Sequence, residues 1–309
     1  MTTQHAAAAE PTATAAATVA TPEAAGGLRG ARGRGAALAP VALVISAGIS
    51  VQFGSAVAVM LMPRAGAAGV VTLRLAAAAV VLLVLCRPRV RGYRRADWGT
   101  VVAFGAAMAG MNGLFYQAVD RIPLGTAVTL EVLGPLTLSV LASRRLVNVV
   151  WAGLALAGVA LLGGGGGFGA LDLVGAGFAV GAGACWAVYI LFSARTGRRF
   201  PQADGLALAM AVAAVLSLPL GAVQSGGKLL VPSTVALGVA VALLSSVLPY
   251  TLELLALRRL PASTFAILMS LEPAIAATAG FLILHQALSV VDAVGIGLVI
   301  GASVGAVRR

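Results

Sequence analysis

Long apolar runs, separated by short polar connections, fill the chain from residue 40 onward. A helix needs roughly 20 apolar residues, at about 1.5 Å each, to cross about 30 Å of hydrocarbon. Ten runs suit such a crossing: Pro40–Leu61, Ala67–Cys86, Trp98–Gln117, Leu124–Ala142, Val147–Gly163, Leu173–Phe192, Gly205–Val223, Val235–Leu257, Ala262–Leu284 and Leu288–Val304. The pattern therefore predicts an all-α polytopic membrane protein with ten transmembrane helices.

Composition agrees with this prediction. Hydrophobic residues make up 60% of the chain and charged residues only 10%, whereas soluble domains contain about 25% charged residues. The net charge of +11 would suit nucleic-acid binding only if the basic residues shared a polar face, and here they lie between apolar runs. We therefore expect a lipid bilayer around the chain and no nucleic-acid partner.

The basic residues favour one orientation. With a cytoplasmic N-terminus, most of the 21 Lys and Arg residues fall at the cytoplasmic ends of the ten runs, and the outer connections hold only Arg64, Arg121 and Lys228. Positive charge is enriched on the cytoplasmic side of membrane proteins. Both termini are thus predicted to be cytoplasmic.

An internal repeat divides the chain, because residues 121–135 align with residues 259–273 and share arginine and proline at matching positions. Each half has an odd number of runs, so the halves are predicted to be inverted, as in many secondary transporters. The predicted organisation is a disordered cytoplasmic tail (1–36), a first five-helix repeat (37–163), an external linker (164–172) and a second five-helix repeat (173–309).

Charged residues within the runs are the first candidates for a site, since each costs about 2.5–3.5 kcal/mol at the bilayer centre. Four of them stand out: Arg74, Glu131, Glu253 and Glu272. Arg74 and Glu131 are expected at similar depth, so they could form a structural ion pair, or Arg74 could hold a substrate carboxylate. The sequence leaves both interpretations open.

Prolines interrupt helices beside two of these carboxylates. Pro135 and Pro273 lack an N–H and so free the carbonyls of Glu131 and Met269. Freed groups at membrane depth could bind a cation, a proton or an ammonium group. We therefore interpret Glu272, next to Pro273, as a functional residue.

Glu253 is open to a simpler interpretation. It lies one turn from the cytoplasmic end of its run, close to Arg258, and its side chain could reach toward the interface. We prefer this structural role for it. Another helix break is predicted at Pro249.

Further polar and aromatic side chains are expected to form interhelical hydrogen bonds or interface anchors, with some lining a cavity. They are Gln52, Asn112, Tyr116, Trp186, Tyr189 and Tyr250. The two histidines, His5 and His285, lie in the tail and a loop, so we expect no metal site, no cofactor and no membrane-embedded enzyme.

Several motifs resemble a known family. They include Leu248-Pro-Tyr-Thr-Leu-Glu253, residues 258–265 and Leu268-Met-Ser-Leu-Glu-Pro273. On these, the chain from residue 41 to 307 resembles the drug/metabolite transporter superfamily, its EamA-like branch and, within it, the bacterial threonine/homoserine exporters of the RhtA type. One difference is that such proteins commonly have Gly-Glu where this chain has His285-Gln286, which weakens any coupling role for that loop.

The resemblance implies two five-helix repeats in the bacterial cell membrane and proton-driven export of small amino acids or similar metabolites. In that mechanism Glu272, with Glu131 or Glu253, would alternate between a proton and the substrate's ammonium group, while Arg74 would face its carboxylate. The alternatives are efflux of a drug-like or other metabolite and, from a different class, a non-transporting membrane scaffold or partner subunit. No oligomeric state is predicted.

Overall fold

The computed structural model describes residues 24–143, 147–164, 172–201, 203–257, 259–260 and 268–307. The chain divides into two units, Met1–Ala39 and Pro40–Arg309. In the first unit, the described residues are helical from Ala24 onward. Alanine is abundant there, and alanine has the highest helix propensity.

Every regular element in the described ranges is helical. The α-helices are α1 Ala24–Cys86, α2 Arg95–Val119, α3 Leu124–Glu131, α4 Leu133–Ser143, α5 Val147–Gly164, α6 Leu173–Gly197, α7 Asp204–Ser225, α8 Pro232–Ala242, α9 Leu248–Leu257, α10 Glu272–Leu284 and α11 Val290–Val307. A 3-10 helix, Gly226–Leu230, follows α7, and a π-helix, Leu243–Val247, joins α8 to α9.

Five helical stretches are long and apolar enough to cross a membrane. They are Ala39–Cys86, Arg95–Val119, Leu173–Gly197, Asp204–Leu230 and Pro232–Glu253. Four shorter apolar helices accompany them: Leu124–Leu138, Val150–Leu162, Glu272–Leu284 and Val290–Gly305. Large apolar side chains such as Val84, Val223 and Phe281 are exposed, as expected for helices that face lipid rather than water.

Helix α1 contains a break at Gly66. Its φ of 66° and ψ of 166° are not helical, and glycine tolerates such a positive φ because it lacks a Cβ. The end of α7 supports the break from both sides: Gln224 Oε1 accepts from the Ala68 N–H at 2.7 Å, and Ser225 Oγ donates to the Ala65 carbonyl. The two arms, residues 40–65 and 67–86, correspond to the first two predicted runs.

Two of the other predicted runs are interrupted at matching places. Leu124–Ala142 is split into α3 and α4 at Val132, three residues before Pro135. In the second half, α10 begins at Glu272 after a turn at Ser270 and Leu271. Residues 261–267, the start of that predicted run, lie outside the described ranges, as do residues 165–171 of the predicted linker.

Close packing of small residues holds the interrupted helices in place. Helix α3 packs against α6 and α10, α2 packs against α6 and α7, and α5 packs against α11. At the crossing of α4 and α6, a Cβ added at Gly183 would lie 3.2 Å from the Gly134 nitrogen and closer still to the Glu131 carbonyl oxygen. Glycine at both positions therefore lets the backbones meet beside the α3–α4 break.

Candidate functional site

A cavity of about 650 Å³ lies among the helices of the second unit. Its wall combines residues from both arms of α1 and from α2, α3, α4, α6, α9, α10 and α11. The lining residues are Val51, Gln52, Ser55, Arg74, Met111, Asn112, Phe115, Glu131, Val132, Pro135, Leu136, Leu138, Trp186, Tyr189, Ile190, Ser193, Ala194, Pro249, Tyr250, Glu253, Met269, Ser270, Glu272 and Ser303. Small-molecule sites commonly have volumes of roughly 300–1,000 Å³.

The cavity brings together most of the residues singled out from the sequence. All four charged candidates line it, with five of the six other polar and aromatic candidates and two of the three prolines. Tyr116 lies just behind the wall, where it is hydrogen-bonded to Arg74. Pro273 is buried directly after Glu272 and does not line the cavity.

Arg74, on the second arm of α1, is buried and held by neutral acceptors. Its Nη2 donates to the Ser245 carbonyl at 2.7 Å, its Nε to Ser246 Oγ at 3.0 Å and its Nη1 to Tyr116 Oη at 3.1 Å. It forms no ion pair within the described part of the chain. An ion pair between Arg74 and Glu131, one of the two interpretations that the sequence leaves open, is not formed in the structure, although both side chains line one cavity.

Two of Arg74's acceptors belong to the π-helix. Pro249 lies just beyond it and has no N–H, so the Ser245 carbonyl lacks the donor that residue 249 would supply in an α-helix. The Nη2 of Arg74 donates to this carbonyl instead. Short π-helical segments are frequent at functional sites.

The three carboxylates lie at or near helix interruptions. Glu131 is the last residue of α3, Glu272 is the first of α10, and Glu253 lies in α9. None of them forms a hydrogen bond or an ion pair with another described residue. Glu253 lines the cavity, and Arg258, its partner in the structural interpretation, lies outside the described residues.

Helix ends add partial charges to the same wall. Helix α10 begins next to the cavity, and the start of a helix carries a partial positive charge. The end of α3 and the start of α4 lie one residue apart, so their opposite partial charges largely offset each other. The cavity therefore combines positive groups, from Arg74 and the start of α10, with three carboxyl groups.

Aromatic side chains form much of the remaining wall. Trp186, Tyr189, Tyr250 and Phe115 face the cavity. Tyr189 packs on Phe104 at a centroid distance of 5.1 Å, and Phe115 meets Tyr116 edge-on at 5.4 Å. Such rings offer apolar contact area and fix the Tyr116 hydroxyl opposite Arg74.

Sequence reasoning missed several serines in this wall, Ser55, Ser193 and Ser303 among them. The Ser303 hydroxyl and the Gln52 Oε1 are buried without a hydrogen-bond partner among the described residues. Serine is common in membrane helices, so only the spacing along each helix relative to a known lining residue could have singled these out. In the described ranges, no group of His, Cys, Asp and Glu side chains could hold a metal ion.

Away from the cavity, the loop between α10 and α11 closes over the start of α3. His285 has a left-handed backbone conformation, with φ 53°. Gln286 Oε1 accepts from the Leu124 N–H at 3.0 Å and so caps α3. His285 thus terminates α10, and Gln286 caps the start of α3.

Comparison with known proteins identifies close relatives. The profile of the EamA-like transporter family matches residues 173–308. The threonine/homoserine exporter RhtA of Escherichia coli (strain K12) is 41% identical over 267 residues, which cover 86% of this chain and 90% of the exporter. The same exporter of Salmonella typhimurium (strain LT2) has the same identity and coverage.

A solved crystal structure shares the fold. It superimposes with a TM-score of 0.61 at 21% sequence identity, and the match covers 86% of this chain and 96% of the solved one. At that identity the likeness concerns the fold alone.

Proposed function

Because this chain belongs to the EamA-like transporter family, we propose that it is a secondary active exporter of small amino acids or related metabolites, of the threonine and homoserine kind, coupled to protons. The similarity to the threonine/homoserine exporters extends over 86% of the chain. It therefore supports a transport cycle that uses the whole bundle rather than one half.

The observation that carries the proposal is the mixed charge of the cavity. A free amino acid bears a carboxylate and an ammonium group, and at membrane depth both need partners. Arg74 and the start of α10 suit the carboxylate. Glu131, Glu253 and Glu272 form no hydrogen bond or ion pair with another described residue, and they suit the ammonium group. Both kinds of partner are present in one space of adequate size.

The number of carboxyl groups supports the proposed proton coupling. Three ionised carboxylates around one guanidinium would leave excess negative charge at membrane depth, which is costly. Binding either a proton or the substrate's ammonium group removes part of this excess. Exchange of one for the other at Glu272, assisted by Glu131 or Glu253, would link outward movement of the amino acid to inward movement of protons.

We propose for the whole chain ten crossings in the bacterial cell membrane, arranged as two inverted five-helix repeats (37–163 and 173–309) with both termini cytoplasmic. The helix interruptions at Val132 and Ser270 support this, because these positions coincide when the two repeats are aligned. The pairing of α3 with α10 and of α5 with α11 is also what such a repeat would give.

The test is efflux from proteoliposomes loaded with radiolabelled threonine, homoserine and a panel of other amino acids, with and without an imposed pH gradient. A gradient of one pH unit is worth about 1.4 kcal/mol per proton, or about tenfold in threonine distribution. Glu272→Gln should abolish the response to the gradient, while Asp120→Asn, an exposed acid-to-amide change outside the cavity, should keep it. Unchanged gradient-driven efflux by Glu272→Gln would remove this residue from the coupling.

The aromatic and apolar part of the wall favours a second candidate, efflux of a drug-like or other apolar metabolite. Such a compound would contact Trp186, Tyr189 and Tyr250 and would need neither Arg74 nor a carboxylate partner. Competition of unlabelled hydrophobic cations against threonine efflux separates the two. Absence of flux for every compound would instead favour a scaffold or partner subunit.

A further inference from the structure

The π-helix between α8 and α9 leaves two backbone carbonyls in need of a donor. The Leu248 N–H is bonded to the Leu243 carbonyl, one residue further back than in an α-helix. The next residue, Pro249, has no N–H for the Leu244 carbonyl in a π register or for the Ser245 carbonyl in an α register. At this point the helix therefore depends on donors from elsewhere.

Those donors come from the two arms of α1. Ser50 Oγ donates to the Leu244 carbonyl at 2.6 Å, and Arg74 Nη2 donates to the Ser245 carbonyl at 2.7 Å. Arg74 Nε also donates to Ser246 Oγ. The guanidinium thus bridges the interruption and holds α8 and α9 in their observed alignment.

The same guanidinium lines the cavity and has no carboxylate partner among the described residues. A guanidinium and a carboxylate frequently pair through two parallel N–H donors, which adds both energy and geometric specificity. The guanidinium has five N–H groups, and its Nε–Nη2 edge is the one that donates to Ser246 Oγ and the Ser245 carbonyl. A carboxylate that takes this edge competes with both acceptors for the same N–H groups.

We propose that Arg74 is a switch shared between the interrupted helix and the substrate carboxylate, so that carboxylate binding releases the π-helix and lets α9 bend. The proposal rests on the proposed export of amino acids. Bending at this point would move Tyr250 and Glu253, which follow the π-helix and line the cavity. Recognition of the substrate at one wall would thereby change the shape of another.

Hydrogen–deuterium exchange of the purified protein in lipid nanodiscs tests the release directly. Threonine should raise amide exchange in residues 243–252 by about tenfold, as expected for loss of one charge-assisted hydrogen bond. The amine 1-amino-2-propanol, which is threonine without its carboxylate, should leave the exchange unchanged. Saturating threonine without any rise in exchange would overturn the proposal.

Two variants distinguish a switching role of Arg74 from a purely structural one. Arg74→Gln should raise exchange in the same segment without any ligand. Pro249→Ala restores the missing N–H, so it should abolish the threonine-dependent rise and lower the KM for threonine about tenfold, because Arg74 is then free for the carboxylate. Thr251→Val is the matched control: it removes a hydrogen bond from Thr251 Oγ1 to the Val247 carbonyl of the same helix without involving Arg74, and it should keep the rise.

The outcomes also distinguish this proposal from the proposed function. Absence of saturable threonine efflux by the unaltered protein would count against amino-acid export itself. Normal efflux, with a threonine-dependent rise that persists in Pro249→Ala, would remove the switch and leave export in place. If Arg74→Gln fails to fold, Pro249→Ala decides alone, since alanine is readily accepted in a helix.

Discussion

A methyl group at Gly183 is expected to weaken the fold at the edge of the cavity. The added Cβ would lie 3.2 Å from both the Gly134 nitrogen and the Glu131 carbonyl carbon, and nearer still to the Glu131 oxygen. Carbon atoms pack best at about 3.5–4.0 Å, and the neighbours here are backbone atoms that cannot rotate away. Overpacking of this kind costs about 1–3 kcal/mol.

Gly177, on the same helix, supplies the matched control. A Cβ there would meet nothing within 4 Å, so Gly177→Ala should gain the helix propensity of alanine, about 1 kcal/mol. Gly183→Ala gains the same propensity, so the two variants are expected to differ by the overpacking cost alone, about 1–3 kcal/mol in unfolding free energy. Both add one methyl group to α6, so a difference between them reports the local contact and not the composition of the helix.

Thermal unfolding in detergent, monitored through the reactivity of the cysteine thiols, ranks the variants by stability. We expect Gly177→Ala to be the most stable, followed by the unaltered protein and then Gly183→Ala. Threonine efflux should fall in Gly183→Ala, since the contact positions the backbone of Glu131. Equal melting temperatures for the two variants would refute the close approach of α4 and α6.

Three further changes test contacts near the helix ends. His285→Gly should stabilise the protein by about 1 kcal/mol in denaturant titration, because glycine adopts the left-handed conformation without strain; loss of stability would contradict the role as a helix end. Gln286→Leu should cost about 1 kcal/mol through loss of the Leu124 cap, with Gln286→Glu as the conservative control that keeps an acceptor. The Gly175 N–H, and next the Arg121 side chain, hold the pKa of Asp172 below its usual range. The start of α6 should therefore stay protected from hydrogen exchange until the pH falls through that lowered pKa, whereas Asp172→Ala should expose it at every pH.

Much of the helical framework could be predicted because hydrocarbon thickness imposes a length on every crossing. The runs Val147–Gly163 and Leu173–Phe192 correspond closely to α5 and to the first part of α6. Pro135 predicts an interruption in Leu124–Ala142, but the sequence does not give the residue, Val132, at which the two helices separate. The break depends on Pro135 and on the close crossing at Gly183, which is a property of the packed bundle.

The sequence singles out most of the charged and polar residues that line the cavity, but it does not reveal the groups to which they are hydrogen-bonded. Rare charges in apolar runs, such as Arg74 and Glu272, attract attention because burying them is expensive. Their hydrogen-bond partners depend on how each helix is rotated about its axis. Some partners are backbone groups, and residue types do not reveal these. Pro249 shows what was possible: its missing N–H identifies the Ser245 carbonyl as an acceptor, yet only the structure places Arg74 there.

The relatives confirm the prediction of a transporter rather than a membrane enzyme. They are exporters, the match covers 90% of their length, and the matching family is one of transporters. The family follows from the motifs around Tyr250 and Glu272, because these combine uncommon residues within helices. A choice among small amino acids does not follow from those residues, since a guanidinium and carboxylates bind the groups that all amino acids share.

Residues from both halves of the sequence line the cavity. Arg74 and Glu131 come from the first half, and Tyr250 and Glu272 come from the second. A fragment ending near residue 164 or one starting near residue 172 would hold only part of the groups needed to enclose a solute. Neither fragment should export anything when synthesised alone. Joint synthesis of both in one cell should restore activity wherever the fragments reassemble, so the two halves are mutually dependent partners.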